Sequence, residues 1–92
     1  MVIAVLTLEC HLAVARSLKD KRMVLRSLKD RLRRFNVSVA ETKNQDLWQR
    51  AELVAVTVAA TADAARRELE AVAAAIEQAE PGLITRSEVE LL

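Results

Sequence analysis

Two long apolar runs, VIAVLTLECHLA at residues 2–13 and AELVAVTVAAT at 51–61, each lead into a segment with helical spacing. That repetition constrains the fold more than any other feature. A strand that feeds a helix must return by a crossover, and crossovers are right-handed almost without exception. Residues 2–13 are rich in Val, Ile and Leu with no internal turn residue, the pattern of a central strand buried on both faces. Ser17 opens a helix, with Asp20 placed for an approximate capping box at the positive helix end. Leu18, Leu25, Leu28, Leu32 and Phe35 fall on one helical face, and the helix is expected to stop near Asn36. NVSVAET (36–42) alternates as a short strand with one wet face, and KNQD (43–46) is a polar loop.

After LWQR, residues 51–61 read as a second long, largely buried strand. Thr61 or Asp63 caps a second helix carrying Ala65, Leu69, Val72, Ile76 and Ala79 on one face, and Pro81–Gly82 ends it. The tail alternates from Ile84 to Glu90, giving a fourth strand. The order βαββαβ predicts an α+β, ferredoxin-like sandwich in one domain spanning residues 1–92. Its four-stranded antiparallel sheet should run in the order 4-1-3-2, with both helices on one face.

Rare residue types exclude much chemistry. A single Gly82 and a single Pro81 leave no Gly-rich phosphate loop or dinucleotide fingerprint. One cysteine and one histidine make neither a disulfide framework nor a zinc site. Trp48 and Phe35, with no tyrosine, are too few for a base-stacking sheet. The N-terminal apolar run has no preceding cationic region, contains Glu9 and is too short to span a bilayer. The expectation is a cytoplasmic protein with a reduced thiol.

The formal net charge of +1 conceals an asymmetry. Residues 16–34 hold nine of the fourteen cations against only Asp20 and Asp30, whereas residues 35–92 carry five cations and ten acids. Lys19, Arg22, Arg26, Lys29 and Arg33 repeat at three- and four-residue steps, forming a stripe roughly 21 Å long, centred away from the Leu18/Leu25/Leu28/Leu32 face, with only Asp30 at its edge. These are the candidate nucleic-acid-binding residues. A solvated face that aids solubility would explain the same stripe.

A second candidate site, for a ligand or partner, comprises Lys21, Glu41, Trp48, Gln49 and Arg50. Lys21 lies inside the apolar arc; the favoured reading is that it snorkels past the sheet edge, the alternative that it points at a ligand, Glu41 or Glu9. Trp48 is expected to plug the end of the core, with Arg50 paired to a nearby acid. The other option is a Trp–Gln–Arg cluster that stacks and hydrogen-bonds a base or a peptide. Cys10 and His11 are adjacent on a strand and point to opposite faces, so they cannot act as a nucleophile–base pair. Cys10 shares the phase of Leu6 and Leu8 and should be buried and inert; no catalytic residue, cofactor or metal ligand is expected.

The open sheet face should carry Ile3, Val5, Thr7, Glu9 and His11 from the first strand, and Arg86, Glu88 and Glu90 from the fourth. Ile3 and Val5 beside the Val-rich third strand make an apolar patch that a homodimer would cover.

The block S-L-K-x-K-R-x-V-L from Ser17 to Leu25, with F-N-V-S-V-x-E from Phe35 to Glu41 leading to W-Q-R at 48–50, resembles the YlxP-like family of small bacterial proteins of unknown function. The positions that match its marked residues are Ser17, Leu18, Lys19, Lys21, Arg22, Phe35, Asn36, Val37, Glu41, Trp48, Gln49 and Arg50. The resemblance implies a ferredoxin-like fold and no established activity. It also implies a gene neighbourhood between translation initiation factor two and ribosome-binding factor A. The resulting expectation is a non-enzymatic RNA- or ribosome-associated accessory factor that uses the basic helix for phosphate contacts. The competing expectation is a protein–protein adaptor that dimerises through the open sheet and binds an acidic partner. No membrane or metal partner is expected.

Overall fold

The computed structural model describes residues 1–92 and arranges them as β1 (Val2–His11), α1 (Leu18–Leu32), β2 (Ser38–Lys43), β3 (Arg50–Ala59), α2 (Ala62–Ala79) and β4 (Ile84–Leu91). The sheet order is β2-β3-β1-β4, the expected 4-1-3-2 read from the other edge, and every neighbouring pair is antiparallel.

Period-two alternation sorts β1 cleanly. Ala4, Leu6, Leu8 and Cys10 are buried beneath the helices, and Ala51, Leu53, Ala55 and Thr57 of β3 join them. Leu25, Leu28 and Leu32 of α1 close over this face together with Ala65, Leu69, Val72 and Ile76 of α2. Each fully buried aliphatic side chain contributes roughly 1.5–3 kcal/mol of transfer free energy, so these helical faces hold the layers together. The one inward polar group on β3 is satisfied, because Thr57 Oγ1 donates to Asn36 O at 2.6 Å.

The helix ends follow their local chemistry. Ser17 Oγ accepts from Asp20 N at 3.0 Å, and the Asp20 carboxylate accepts from Arg16 N at 3.0 Å, one residue beyond the cap. Thr61, rather than Asp63, caps α2 by accepting from Ala64 N at 3.1 Å. Gly82 takes φ +81° after α2, a conformation glycine adopts without a Cβ penalty, and its N–H donates to Glu77 at 2.8 Å.

Several expectations need correction. α1 ends at Leu32, so Phe35 packs half-buried from the connection that follows rather than from the helix. β1 is not covered on both faces: Ile3, Val5 and Thr7 oppose Val58, Val56 and Val54 on a face that nothing overlies. An apolar run cannot say whether its second face meets a helix, a partner or water. Arg86, Glu88 and Glu90 share this face, opposite Glu9, Thr7 and Val5, as the alternation of the tail predicts.

A bulge between Glu41 and Lys43 separates the two inner and outer registers at the end of β2. Glu41 pairs with Leu53 on the helix-covered side, whereas Lys43 pairs with Glu52 on the open side. No helix is long and apolar enough to cross a membrane.

Candidate nucleic-acid interface

Lys19, Arg22, Arg26, Lys29 and Arg33 are all exposed. At about 100° per residue they occupy one arc of about 80° along α1. The opposite flank faces α2: Val24 lines a hollow with Glu80 and Pro81, and Arg31 lines another with Ala75 and Ala79. The stripe therefore lies on the flank of α1 turned away from α2. Arg33 pairs with Asp30 at 3.2 Å, but both side chains are exposed, and such pairs contribute little and are screened by salt. Lys19, Arg22, Arg26 and Lys29 have no carboxylate within ion-pairing distance. Four like charges on one helix flank repel one another mildly and leave their donors free for an external anion.

Lys21 does not snorkel. Its residue is 1% exposed, and its ammonium meets three acceptors: Glu41 Oε2, Asn44 O and Leu47 O, each at 2.6 Å. Two of its donors are placed in hydrogen bonds to the loop carbonyls, and the contact to Glu41 is an ion pair without hydrogen-bond geometry. The Lys stem is held within the apolar arc of α1, and the sheet edge that would have let it reach water is closed by the 44–49 loop. Asn44 adopts φ +62°, a left-handed conformation that asparagine tolerates better than most residues. Lys21 contacts Glu41, and Glu9 is not involved. Two opposite charges in apolar phases, Lys21 on its helix and Glu41 beside Val37 and Val39 on its strand, were the available signal.

Trp48 is not a core plug either. It is 50% exposed, and Leu47 beside it is 43% exposed. The end of the core that Trp48 was expected to fill is closed instead by buried Leu12, Ala15 and Leu83. Gln49 fixes the loop: its Nε2 donates to Ala15 O at 3.1 Å, and its carbonyl accepts from Leu12 N at 2.9 Å. Arg50 opposes His11 across β1 and β3 and has no carboxylate within ion-pairing distance, so the expected acid partner is absent. Of the second candidate site, Lys21 and Glu41 form the buried base of the loop. Trp48 and Arg50 are exposed and line a small hollow with His11, Leu47 and Gln49.

The end of the open sheet face forms a cleft of about 520 Å³ lined by Glu9, His11, Lys43, Arg50, Glu52 and Thr85, together with Cys10, Asn44 and Ala51. Glu9 and His11 do not hydrogen-bond each other; Thr42 and Lys43 instead engage Glu52, at 2.7 and 3.9 Å. Cys10 points to the helix side, away from His11. Burial pushes its thiol up from an ordinary 9.0 to about 11, which keeps it protonated and unreactive near neutral pH. No group of three or more His, Cys, Asp or Glu side chains gathers in a metal-ligating arrangement.

Comparisons with known proteins agree with this architecture. A de novo designed protein with a ferredoxin fold, solved in solution by NMR, superposes with a TM-score of 0.52 at 12% identity, covering 100% of this chain and 83% of the designed one. That likeness concerns the fold alone. The "Uncharacterized protein YlxP" of Bacillus subtilis (strain 168) is 39% identical over 70 residues, covering 75% of this chain and 76% of the relative. Residues 3–89 match the family described as "Protein of unknown function (DUF503)". With that match running almost end to end, and the basic helix and the Trp-Gln-Arg loop both inside it, the chain belongs to the YlxP-like family, DUF503.

Proposed function

We propose that the protein is a non-enzymatic, cytoplasmic accessory factor of RNA or the ribosome, in which the α1 flank contacts phosphates. The observation that carries this reading is the set of four exposed, unpaired cations along one helix flank. A solvated helix ordinarily intersperses its cations with acids at i,i+4; here Asp30 alone does so, at the edge of the stripe and paired to Arg33. The gene neighbourhood implied by the family resemblance, among translation factors, supports the ribosome as the source of the RNA. Phosphate contacts of this kind set affinity and orientation with little sequence readout. Sedimentation with purified ribosomal subunits in low salt, with and without nuclease, tests the reading. Co-sedimentation that is lost as salt rises or after nuclease supports it, and a protein that stays in the supernatant under all conditions refutes it.

A second reading is favoured by the open sheet, where Ile3, Val5, Val54 and Val56 are half-exposed and Val58 is 48% exposed. A second copy covering this face would make the protein a dimeric adaptor whose basic helix meets an acidic protein. Binding that survives nuclease but fails when the stripe is charge-reversed would favour this reading.

A further inference from the structure

Trp48 is the chain's single tryptophan and is 50% exposed, and the residues on either side of it are anchored, Leu47 by its carbonyl and Gln49 by its side chain. Solvent-exposed loops that carry large apolar groups normally turn them inward, because burying an indole removes a large apolar area from water. Here the loop is clamped from below by two carbonyls on one buried ammonium and from the side by Gln49 on Ala15, and the ring stands outside. Holding a lysine nine-tenths out of water is costly unless its charge is fully partnered, as it is here.

The clamp also sets where the ring stands. Lys21 and Ala15 flank the first turn of α1, so the loop is tied to the end of the helix where the basic stripe begins with Lys19. Arg50, unpaired, and His11 share a hollow with Trp48. Glu9 and Glu52 line the cleft on the open face beyond Arg50. Lys43 and Arg50 balance those two acids, so the cleft is near neutral and a polyanion is drawn to the uncompensated cations of α1. Asp46 is the only acid on the loop itself.

We propose that Trp48 is a stacking site for one unpaired base of a single-stranded RNA whose backbone continues along the α1 stripe, with Arg50 and His11 at the base's edge. The assignment deepens the RNA reading above and rests on it. A paired base has both faces covered by its neighbours, so an isolated aromatic side chain can stack only on a base that is free of a helix. One ring takes one base, which gives a preference for unpaired RNA without a sequence code.

Intrinsic fluorescence makes the test direct, because Trp48 is the sole indole and no tyrosine is present. The protein is titrated with an unstructured 5′-labelled oligoribonucleotide and with the same strand annealed to its complement, at one low salt concentration. Affinity is read by anisotropy of the label and stacking by Trp48 emission. The single strand should quench Trp48 and bind about tenfold tighter than the duplex. Trp48→Ala should bring the single strand down to the duplex's affinity, and Trp48→Phe should retain part of the advantage. Equal binding of both RNAs with unmoved Trp48 emission overturns the stacking site and leaves the phosphate reading standing. Failure of both RNAs to bind overturns the phosphate reading as well. Polyglutamate that quenches Trp48 as strongly as the single strand would assign the hollow to an acidic protein segment and overturn the proposal.

Discussion

Replacing Lys21 by methionine keeps the aliphatic stem and deletes the ammonium. The structure then loses the partner of Glu41 Oε2 and of two loop carbonyls, all at 2.6 Å. The Glu41 side chain is 18% exposed, so its carboxylate would remain largely out of water without a counter-charge. Breaking a buried pair from one side costs about 3–5 kcal/mol. The lower end applies here, because the Asn44 and Leu47 carbonyls sit in an exposed loop and can turn to water. A loss of about 3 kcal/mol lowers the Tm of a domain this size by about 15 °C. Adding Glu41→Gln should recover part of the loss, since the second substitution removes the stranded charge. Circular dichroism melts of the wild type, Lys21→Met, Glu41→Gln and the double variant complete the cycle. The loop should also loosen, so Trp48 emission in Lys21→Met should become more readily quenched by acrylamide. A Lys21→Met protein that melts with the wild type, with unchanged quenching, would mean that the ammonium sits in water and the clamp does not exist.

Four further outcomes follow from the packing and the backbone. Cys10, with its thiol held protonated by burial, should react with a thiol reagent at pH 8 far more slowly in the native protein than in denaturant. Because its folded pKa lies above the ordinary value, Cys10 contributes stability that is fully present below pH 9.0 and is lost as pH rises toward about 11, which a chemical melt series across that window reads out. Leu69→Ala, at a fully buried position on α2, should cost about 2–5 kcal/mol in urea denaturation. Gly82→Ala should cost about 1 kcal/mol by the same measurement: a Cβ there has open space, and the penalty comes from φ +81° alone.

The elements that were legible in the sequence are those whose positions depend on period alone. Leu25, Leu28 and Leu32 repeat every three or four residues and sit against the sheet. Leu6, Leu8 and Cys10 alternate and point the same way. The topology followed because two strand–helix crossovers leave few sheet orders open. Period also located the basic stripe, since charges on a helix flank need no tertiary partner to be read. The exposure of Trp48 is not legible in the sequence because Trp48 lies in a loop, whose course is set by contacts made elsewhere, here Gln49 on Ala15 and the Lys21 ammonium on two carbonyls. The same holds for Lys21. Its burial depends on Glu41 arriving from another element and on the 44–49 loop closing over the sheet edge, and neither is visible from the helix that carries it. The alternation of β1 assigns Ile3, Val5, Thr7, Glu9 and His11 to the open face, as found. What composition alone could not decide is whether that apolar face is covered, because Ile3 and Val5 are as apolar as the buried residues.

The central claim, that the α1 flank binds phosphates, is tested most directly by the salt dependence of RNA affinity. Five contacts to single-stranded RNA give a slope of log K against log salt of about −3.5, at about −0.7 per contact. Neutralising two of them, in Arg22→Gln with Arg26→Gln, should reduce the magnitude of that slope by about 1.4 and weaken binding at every salt concentration. The Tm should stay nearly fixed, because both positions are exposed and unpaired. A wild-type slope near zero, or a double variant whose slope and affinity match the wild type, would contradict the claim and return the stripe to an ordinary solvated face.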